Sequence, residues 1–361
     1  MTSAAAPPQP SEATSPRAVE VRRARPEDHD AMDAFVRGSD RASFFHRPVW
    51  TRAVAAQFRH EDRSLVALEG DVVVGVLPLS LCKGLRGGRN LISVPYGVYG
   101  GPAGANAEVE RALYGAAERD AVELNVGRLE LRCLEDPGLD LPKADLHATF
   151  VKELPESVDD VLAGMPKKSR ADARKARNKL GLTLEEGRWY AADLVRLFHQ
   201  NKRTLGSPAL PERWFMRLLE DLGDDVTVHV VKREGETLAA VMSFLFRDQV
   251  LAYYSGTGPD VDRSFKASSF MYMALQEWSV ERGYRIFDFG RSRRGSGAFS
   301  FKTHQGFEAR DLHYSFRLVG AAGLPTFNPS NPKTEVLQRT WRRLPMGVTR
   351  MLSGPLSRYL P

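Results

Sequence analysis

Residues 287–307, FDFGRSRRGSGAFSFKTHQGF, combine the side chains that acyl transfer to an amine would require. That reaction needs a group to take the amine proton and positive groups at the forming oxyanion. Asp288, Lys302 and His304 could divide these roles, with Asp288 orienting Lys302. We therefore predict that these three residues are catalytic.

The loop inside this stretch is rich in arginine and glycine. Glycines let a backbone approach a ligand closely, and neighbouring arginines attract anionic groups. The predicted ligand-binding residues are Arg291, Arg293, Arg294, Gly295 and Gly297. A structural turn between two strands is the alternative, because a Gly-Ser-Gly segment needs no function.

A second candidate is the basic segment at residues 166–180, PKKSRADARKARNKL. It holds seven basic residues against one acidic residue, a surplus equal to the net charge of +6 of the whole chain. On a helix, Lys167, Arg170 and Arg174 share one face, which suits a diphosphate or an RNA backbone. A solvated basic helix without a ligand is the alternative.

Aromatic clusters follow the third hairpin strand of each half of the chain. Tyr96 and Tyr99 lie in SVPYGVYGG, and Tyr253 and Tyr254 lie in LAYYSGTG. Their hydroxyls could hold a sugar, so we predict that Tyr96, Tyr253 and Tyr254 shape an acceptor site. Core packing with bonded hydroxyls is the competing interpretation.

Several other chemistries are disfavoured by the sequence. The phosphate-binding and dinucleotide-binding glycine motifs are absent, as are the serine-hydrolase and zinc-protease motifs. Cys82 and Cys133 lack metal-ligand spacing and an activating histidine, so we expect them to be buried and inert in a reducing compartment. No metal site is predicted.

The pattern of elements around these residues indicates an α/β fold with mixed sheets. Three antiparallel strands, a crossover helix and a further strand are entered through two helices, and this order occurs in both halves. In both halves the first hairpin strand precedes the last strand by about 60 residues, which indicates internal duplication. The predicted elements are strands 64–68, 72–81, 90–99 and 128–133 with helix 107–123, and strands 226–232, 239–246, 250–255 and 285–289 with helices 191–205, 212–222 and 267–282.

Length and composition agree with two globular domains. The chain has 361 residues, of which 42% are hydrophobic and 27% charged. The predicted segments are a disordered tail at 1–17, domains at 18–155 and 191–320, a basic junction at 156–190 and a basic amphipathic extension at 321–361.

The C-terminal extension mixes apolar residues with arginines and is interrupted at Pro345 and Gly347. Two short amphipathic pieces are expected, which could pack across the domain junction or touch an anionic membrane surface. No stretch of the sequence is long and apolar enough to span a bilayer, and no signal peptide is recognisable. We therefore expect a cytoplasmic protein, at the inner face of the membrane if the extension binds lipid.

Several segments of the sequence are distinctive when taken together: FFHRPVW, SVPYGVYGGPAG, KKSRADARKARNKLG, the stretch ERGYRIFDFGRSRRGSGAFSFKTHQGFEARDLHY, and NPSNPK with the later WRRLP. Together they resemble the FemAB-like proteins associated with exosortase and extracellular-polysaccharide loci. The resemblance implies two tandem GNAT-like acyltransferase domains and an N-acyltransferase that builds amide bonds on cell-envelope or exopolysaccharide precursors. It assigns a functional lysine to Lys302 and basic binding residues to Arg170 and Arg174.

The resemblance also implies the donor and the acceptor. No tightly bound cofactor is expected, and the donor would be acyl-CoA, acyl carrier protein or aminoacyl-tRNA. The acceptor would be a nucleotide- or lipid-linked amino sugar. Residues 262–269, DRSFKASS, replace the (R/Q)xxGx(G/A) signature of acetyl-CoA binding, with Lys266 and Ala267 at the glycine positions.

Two explanations without catalysis remain open. The basic helix could make the chain an RNA-binding module, whose affinity would fall steeply with salt. The chain could also be an adaptor in a polysaccharide assembly system.

Overall fold

The structure is a computed structural model that describes residues 18–84, 87–320, 323–324 and 332–361. The predicted tail at 1–17 lies outside the described residues. The first half contains β1 (Val19–Arg23), α1 (His29–Gly38), α2 (Pro48–Phe58), β2 (Glu61–Asp62), β3 (Leu65–Glu69), β4 (Val72–Leu77), β5 (Ser80–Lys83), β6 (Arg89–Ile92), β7 (Ala103–Gly104), α3 (Ala107–Glu123), β8 (Arg128–Cys133), β9 (His147–Thr149) and β10 (Val151–Glu153).

The second half repeats much of this order. It contains α4 (Val158–Ala163), α5 (Lys167–Asn178), β11 (Thr183–Glu186), α6 (Ala191–Leu205), α7 (Glu212–Leu222), β12 (Val226–Arg233), β13 (Glu236–Phe246), β14 (Gln249–Thr257), α8 (Val261–Phe265), α9 (Ala267–Glu281), β15 (Ile286–Asp288), β16 (Ser292–Arg293), α10 (Gly297–His304), β17 (Arg310–Asp311), β18 (His313–Leu318), α11 (Pro332–Arg343) and α12 (Met346–Ser357).

The sequence predicts most of these elements closely, and two strand predictions are wrong. The predicted strand 72–81 is divided at Pro78 into β4 and β5, which lie in different sheets. The predicted strand 90–99 ends at Ile92, because Pro95 cannot donate to a ladder and Tyr96 adopts a positive φ of 62°. The remaining residues form the loop that carries Tyr96 and Tyr99.

The sheets are mixed, as the sequence predicts. A six-stranded sheet in the second half has the order β10-β15-β14-β13-β12-β11, and β14 runs parallel to β15. The first half has a four-stranded sheet, β1-β3-β4-β7, and a five-stranded sheet, β18-β8-β6-β5-β2, in which β6 runs parallel to β8. In each half one long helix, α3 or α9, joins the two parallel strands.

The two halves exchange edge strands. β10 precedes the second half in the chain, yet it pairs antiparallel with β15 in the six-stranded sheet. β18 belongs to the second half of the chain, yet it pairs antiparallel with β8 of the first half over six residues, His313 to Leu318. Each predicted domain, 18–155 and 191–320, therefore contributes one strand to a sheet of the other half. The boundaries at 155 and 320 do not separate the five-stranded sheet from the six-stranded sheet.

A shared aromatic core also joins the halves and accounts for the FFHRPVW segment. Phe44 stacks on Phe244 of β13 with ring centroids 4.6 Å apart, and Trp50 packs edge-on against Trp214 of α7 at 5.3 Å. Arg47 is buried beside these rings and bonds Asp33 in the first half and Asp225 in the second. Burying these rings removes a large apolar area from water, so the halves are held as one body.

Candidate active site

A cleft of about 850 Å³ opens in the second half where β14 and β15 separate. These strands pair only from Gln249 to Leu251 and from Ile286 to Asp288. Beyond that point β14 continues to Thr257, whereas the segment that follows β15 turns away at Gly290. The space between them is walled by α6, α9 and α10, and by Tyr96 from the first half.

Lys302 lies on α10 and lines the cleft. Its side chain is only 8% exposed, and Nζ donates to the carbonyl oxygens of Gly290 at 2.9 Å and Arg291 at 3.1 Å. Burial lowers the pKa of Lys302 from an ordinary 10.5 to about 7, although the nearby Asp288 carboxylate acts against this shift. Near neutral pH the group is therefore present both as an ammonium and as a neutral amine.

The hydrogen bonds of Lys302 leave one position on Nζ for a ligand. In the ammonium form a third N–H is available to a developing negative charge, and in the neutral form a lone pair is available to a proton. One side chain can therefore stabilise an oxyanion and also accept a proton. Two carbonyl partners hold the side chain in place for either task.

Asp288 lies beneath the cleft and does not line it. The carboxylate is fully buried and accepts from the Gly290 N–H at 2.6 Å, the Tyr99 hydroxyl at 3.1 Å and the Gln249 amide at 3.2 Å. Burial raises the pKa of Asp288 to about 6. Asp288 and Lys302 thus hold opposite ends of the Gly290 residue, whose φ of 66° suits glycine. This geometry makes Asp288 a positioning residue.

The charges that face the cleft are mainly positive. Among the described residues, Lys202, Arg291 and Lys302 line it, with Asp262 as the one acidic residue. Arg291 donates to the Tyr314 hydroxyl at 3.0 Å and lies over that ring. Burial, together with the charge of Arg291, lowers the pKa of the Lys202 ammonium. Such a lining favours a ligand that carries negative charge.

Lys202 is absent from the residues predicted from the sequence. It follows Leu194 and Phe198 at steps of four, on the buried face of α6. A lysine at a position where the helical pattern expects an apolar residue could have identified Lys202 as a candidate. Gly256 of β14 brings α6 close enough for this placement. A Cβ atom on Gly256 would lie 2.5 Å from the α6 backbone at Leu197 and Phe198.

The predicted tyrosines all line the cleft, and each hydroxyl already has a protein partner. Tyr253 is the extra residue of a β-bulge, since Met242 pairs with Tyr254 and Ser243 pairs with Ala252. The Tyr253 hydroxyl donates to the Tyr96 carbonyl at 2.7 Å, and the Tyr254 hydroxyl accepts from Trp214. Burial raises the pKa of both hydroxyls. Their geometry supports a role in shaping the cleft.

Asp262 belongs to α8, and its side chain lies at the N-terminal end of α9. Its carboxylate accepts from the Ser268 N–H at 2.7 Å and from the Ser268 hydroxyl at 2.6 Å. A helix N-terminus attracts anions because its first N–H groups lack partners. Here the anion at the helix N-terminus is the carboxylate of Asp262, a residue of the DRSFKASS segment itself.

The remaining predicted loop residues are spread around the cleft. Gly297 lines it at the start of α10. Arg294 instead pairs with Asp145 and Asp311 across the small sheet β16-β9-β17. Arg293 is half-buried in β16, and Gly295 forms the turn before α10 with a φ of 72°. Neither of these two lines the cleft.

His304 lies on the opposite side of α10 from Lys302, because two residues along a helix correspond to about 200°. Its side chain is exposed, and its carbonyl accepts from Ser169 of α5. The structure therefore gives the predicted catalytic histidine no contact with the cleft.

The basic segment forms α5 as predicted, and it packs on α9 outside the cleft. Ala173 and Ala176 are buried, whereas Lys167 and Arg174 are exposed. Arg170 donates to the Ala163 carbonyl at 2.9 Å. The predicted phosphate contacts of Lys167, Arg170 and Arg174 remain a prediction.

Further sequence predictions can be placed on the structure. Cys82 and Cys133 are buried, and burial raises the pKa of each thiol to about 12, as expected of inert cysteines. Within the described ranges, no group of acidic, histidine or cysteine side chains could hold a metal ion. No described helix has the length and apolar character needed to cross a bilayer.

Comparison with known proteins identifies the fold. A family model described as an acetyltransferase (GNAT) domain matches residues 167–303, a range that includes α5 and Lys302. The crystal structure of FemX is similar with a TM-score of 0.63 at 13% identity, covering 83% of this chain and 98% of that chain. No curated protein matches the sequence.

Two further solved structures share the arrangement of both halves. A tandem GNAT protein from the clavulanic acid biosynthesis pathway is similar with a TM-score of 0.51 at 14% identity, covering 85% of this chain and 100% of that chain. L-PGS from Bacillus licheniformis is similar with a TM-score of 0.50 at 16% identity, covering 89% of this chain and 98% of that chain. Residues 167–303 thus match a GNAT domain, and the two halves together share the fold of FemX and of the tandem GNAT protein.

Proposed function

We propose that the protein is an N-acyltransferase that moves an acyl or aminoacyl group to the amine of a cell-envelope or exopolysaccharide sugar precursor. The observation that carries this proposal is Lys302, a buried lysine with a pKa near 7 at the wall of a cationic cleft. The GNAT-like fold of the second half supports acyl transfer as the reaction class.

The chemistry follows from the two forms of Lys302. The acceptor amine attacks the donor carbonyl, which forms a C–N bond and breaks the C–S bond of a thioester or the C–O bond of an aminoacyl ester. Neutral Lys302 takes the proton that the amine loses, and the resulting ammonium returns a proton to the leaving group. The Nζ position beside the Gly290 carbonyl also places positive charge near the tetrahedral oxyanion.

Lys202 and Arg291 give the cleft its preference for an anionic substrate. Both line the cleft with Lys302, and Asp262, the one acidic side chain among the described lining residues, is already bonded to Ser268. A phosphate of a nucleotide- or lipid-linked sugar matches this charge. Tyr96, Tyr253 and Tyr254 would enclose the sugar ring.

The first test is donor binding followed by turnover. The melting temperature of the purified protein is measured with each candidate donor: acetyl-CoA, a longer acyl-CoA, a loaded acyl carrier protein or aminoacyl-tRNA. Deacylated tRNA is the control for aminoacyl-tRNA. A donor that binds the native state raises the melting temperature. The stabilising donor is then incubated with amino-sugar precursors, and the amide product is measured by mass spectrometry.

Substitutions in the cleft make this test specific. Lys302→Met should abolish turnover while donor binding persists, and Lys202→Met should raise the KM of the anionic substrate. Lys143→Met is a matched control, because Lys143 is a surface lysine paired with Asp136 and does not line the cleft. Undiminished turnover in Lys302→Met, or no amide product from any donor, would overturn the proposal.

One observation favours a second candidate function, RNA binding through α5. Five exposed basic side chains of this segment have no ion pair among the described residues: Lys167, Lys168, Arg174, Lys175 and Lys179. Four of them are exposed on α5 itself and the fifth caps it, so a polyanion could reach them. Binding of deacylated tRNA with a steep salt dependence, weakened by Lys167→Glu with Arg174→Glu, would support this function; weak salt dependence would exclude it.

A further inference from the structure

The helix α12 has its polar and apolar faces reversed relative to an ordinary surface helix. Thr349, Ser353 and Ser357 recur at steps of four and are the buried residues of this helix. Their hydroxyls are satisfied within α12, by the carbonyls of Met346 at 2.9 Å, Thr349 at 2.6 Å and Gly354 at 2.9 Å. The inner face therefore packs on the protein through small hydroxyl residues.

The inner face joins α12 to both halves of the molecule. Ser353 accepts from the Ala209 N–H at 3.1 Å, and the Ser357 carbonyl accepts from the Tyr96 hydroxyl at 3.1 Å. This is the packing across the domain junction that the sequence suggested. These contacts account for the residues on the inner face of α12, whereas no contact within the described residues accounts for the apolar residues on its outer face.

Large apolar side chains lie on the outer faces of α11 and α12. Val336 is 59% exposed, Leu337 70%, Met351 69% and Leu352 37%. These account for four of the ten exposed large apolar side chains found in the described part of the chain. Exposed apolar side chains gathered in one segment indicate a surface that something covers.

Basic residues accompany these apolar side chains on the same two helices. Residues 332–361 contain six basic residues and one acidic residue. Arg339, Arg343 and Arg350 are exposed on the same two helices. We name Val336, Leu337, Met351 and Leu352, with these three arginines, the docking face.

The docking face adjoins the mouth of the cleft. Both of its helices pack on α6, where Arg203 donates to the Leu344 carbonyl between them at 2.8 Å. Leu205 at the end of α6 and Leu360 after α12 line the cleft and are 56% and 57% exposed. A surface bound to the docking face would therefore lie beside the cleft mouth.

We propose that the docking face binds the surface of an anionic lipid membrane. Exposed apolar side chains and exposed arginines on the same helices combine the two contributions that hold an interfacial helix, burial among acyl chains and attraction to anionic headgroups. A second copy of this chain fits less well, because two segments that each carry a surplus of five positive charges would repel one another. RNA would leave the apolar side chains unburied. This proposal goes beyond the acyltransferase reaction and does not depend on it.

The test is co-sedimentation of the full chain with vesicles of phosphatidylcholine alone or with about one third phosphatidylglycerol. We expect binding to the anionic vesicles that weakens with salt. Met351→Ser with Leu352→Ser should weaken it at least about tenfold, and Arg343→Glu with Arg350→Glu by a similar factor. Val72→Ser with Val122→Ser removes two exposed apolar side chains from the first half and should leave binding unchanged.

Oligomeric state is measured on the same proteins by light scattering. A monomer that binds anionic vesicles through the docking face supports the proposal. A dimer that the Met351→Ser and Leu352→Ser pair converts to a monomer would assign the face to a second copy. Failure of the wild type to bind anionic vesicles, or equal binding by the wild type and all variants, would also overturn it; circular dichroism confirms that each variant is folded.

Discussion

Replacing Lys302 with methionine should change how the stability of the protein responds to pH. Methionine keeps the unbranched stem of lysine and removes the titrating group. The wild-type lysine has a pKa of about 7 when folded and an ordinary 10.5 when unfolded. Between these values the unfolded chain holds a proton that the folded chain has released, so raising the pH stabilises the folded wild type.

The size of this effect follows from the shift in pKa. Each unit corresponds to about 1.4 kcal/mol, so the whole shift amounts to about 5 kcal/mol spread between the two pKa values. From pH 7 to pH 9 the wild type should gain about 2 kcal/mol in its free energy of unfolding from this group alone. In Lys302→Met this gain should be absent, while every distant group titrates as before.

The assay is urea unfolding of both proteins at pH 7 and pH 9, followed by tryptophan fluorescence. The quantity of interest is the difference between the two pH-dependent changes, which cancels contributions that the proteins share. If wild type and Lys302→Met change in parallel, Lys302 keeps an ordinary pKa. The assignment of Lys302 as proton acceptor would then lose its basis.

Three further predictions concern residues around the cleft and between the halves. Gly256→Ala should lower the free energy of unfolding by about 1 to 3 kcal/mol and weaken binding of the anionic substrate, because a methyl group would push α6 and Lys202 away from β14; urea unfolding and substrate titration test this, and unchanged values would contradict it. Asp262→Ala should strengthen binding of coenzyme A by at least about tenfold in calorimetry, because it frees the N–H groups of α9; equal affinity would show that the carboxylate does not occupy an anion site. Arg47→Met should cost about 3 kcal/mol and Arg37→Met less than about 1 kcal/mol in urea unfolding, because both pair with Asp33 and Asp225 but only Arg47 is buried; equal costs would refute this argument from burial.

The sequence predicts local structure well because local structure follows from spacing and turn chemistry. Helix 107–123 and the helices 191–205 and 212–222 match α3, α6 and α7. Lys302 could be predicted as a candidate because it lies in a distinctive glycine and aromatic motif. The distinction between Lys302 and His304 required the helical geometry of α10, which places them on opposite sides.

Long-range features could not be predicted, because nothing in their local sequence specifies them. β10 has three residues, and its partner β15 lies more than 130 residues away. Lys202 becomes a cleft residue only because Gly256 lets α6 approach β14. The carboxylate of Asp262 is recognisable as the cap of α9 only once the turn before Ala267 is known.

The exchange of edge strands has a consequence for synthesis on the ribosome. When β8 is complete, its edge partner β18 has not yet been translated, and residues 134–318 must still emerge. At ordinary elongation rates this takes about 10 to 40 seconds, during which the nascent first half keeps an open β edge. Release of a nascent chain truncated before His313 would leave that edge permanently unpaired. The exchange thus makes the first half depend on β18, the last of the described strands to be translated, and it makes incomplete chains natural targets for chaperones and proteases.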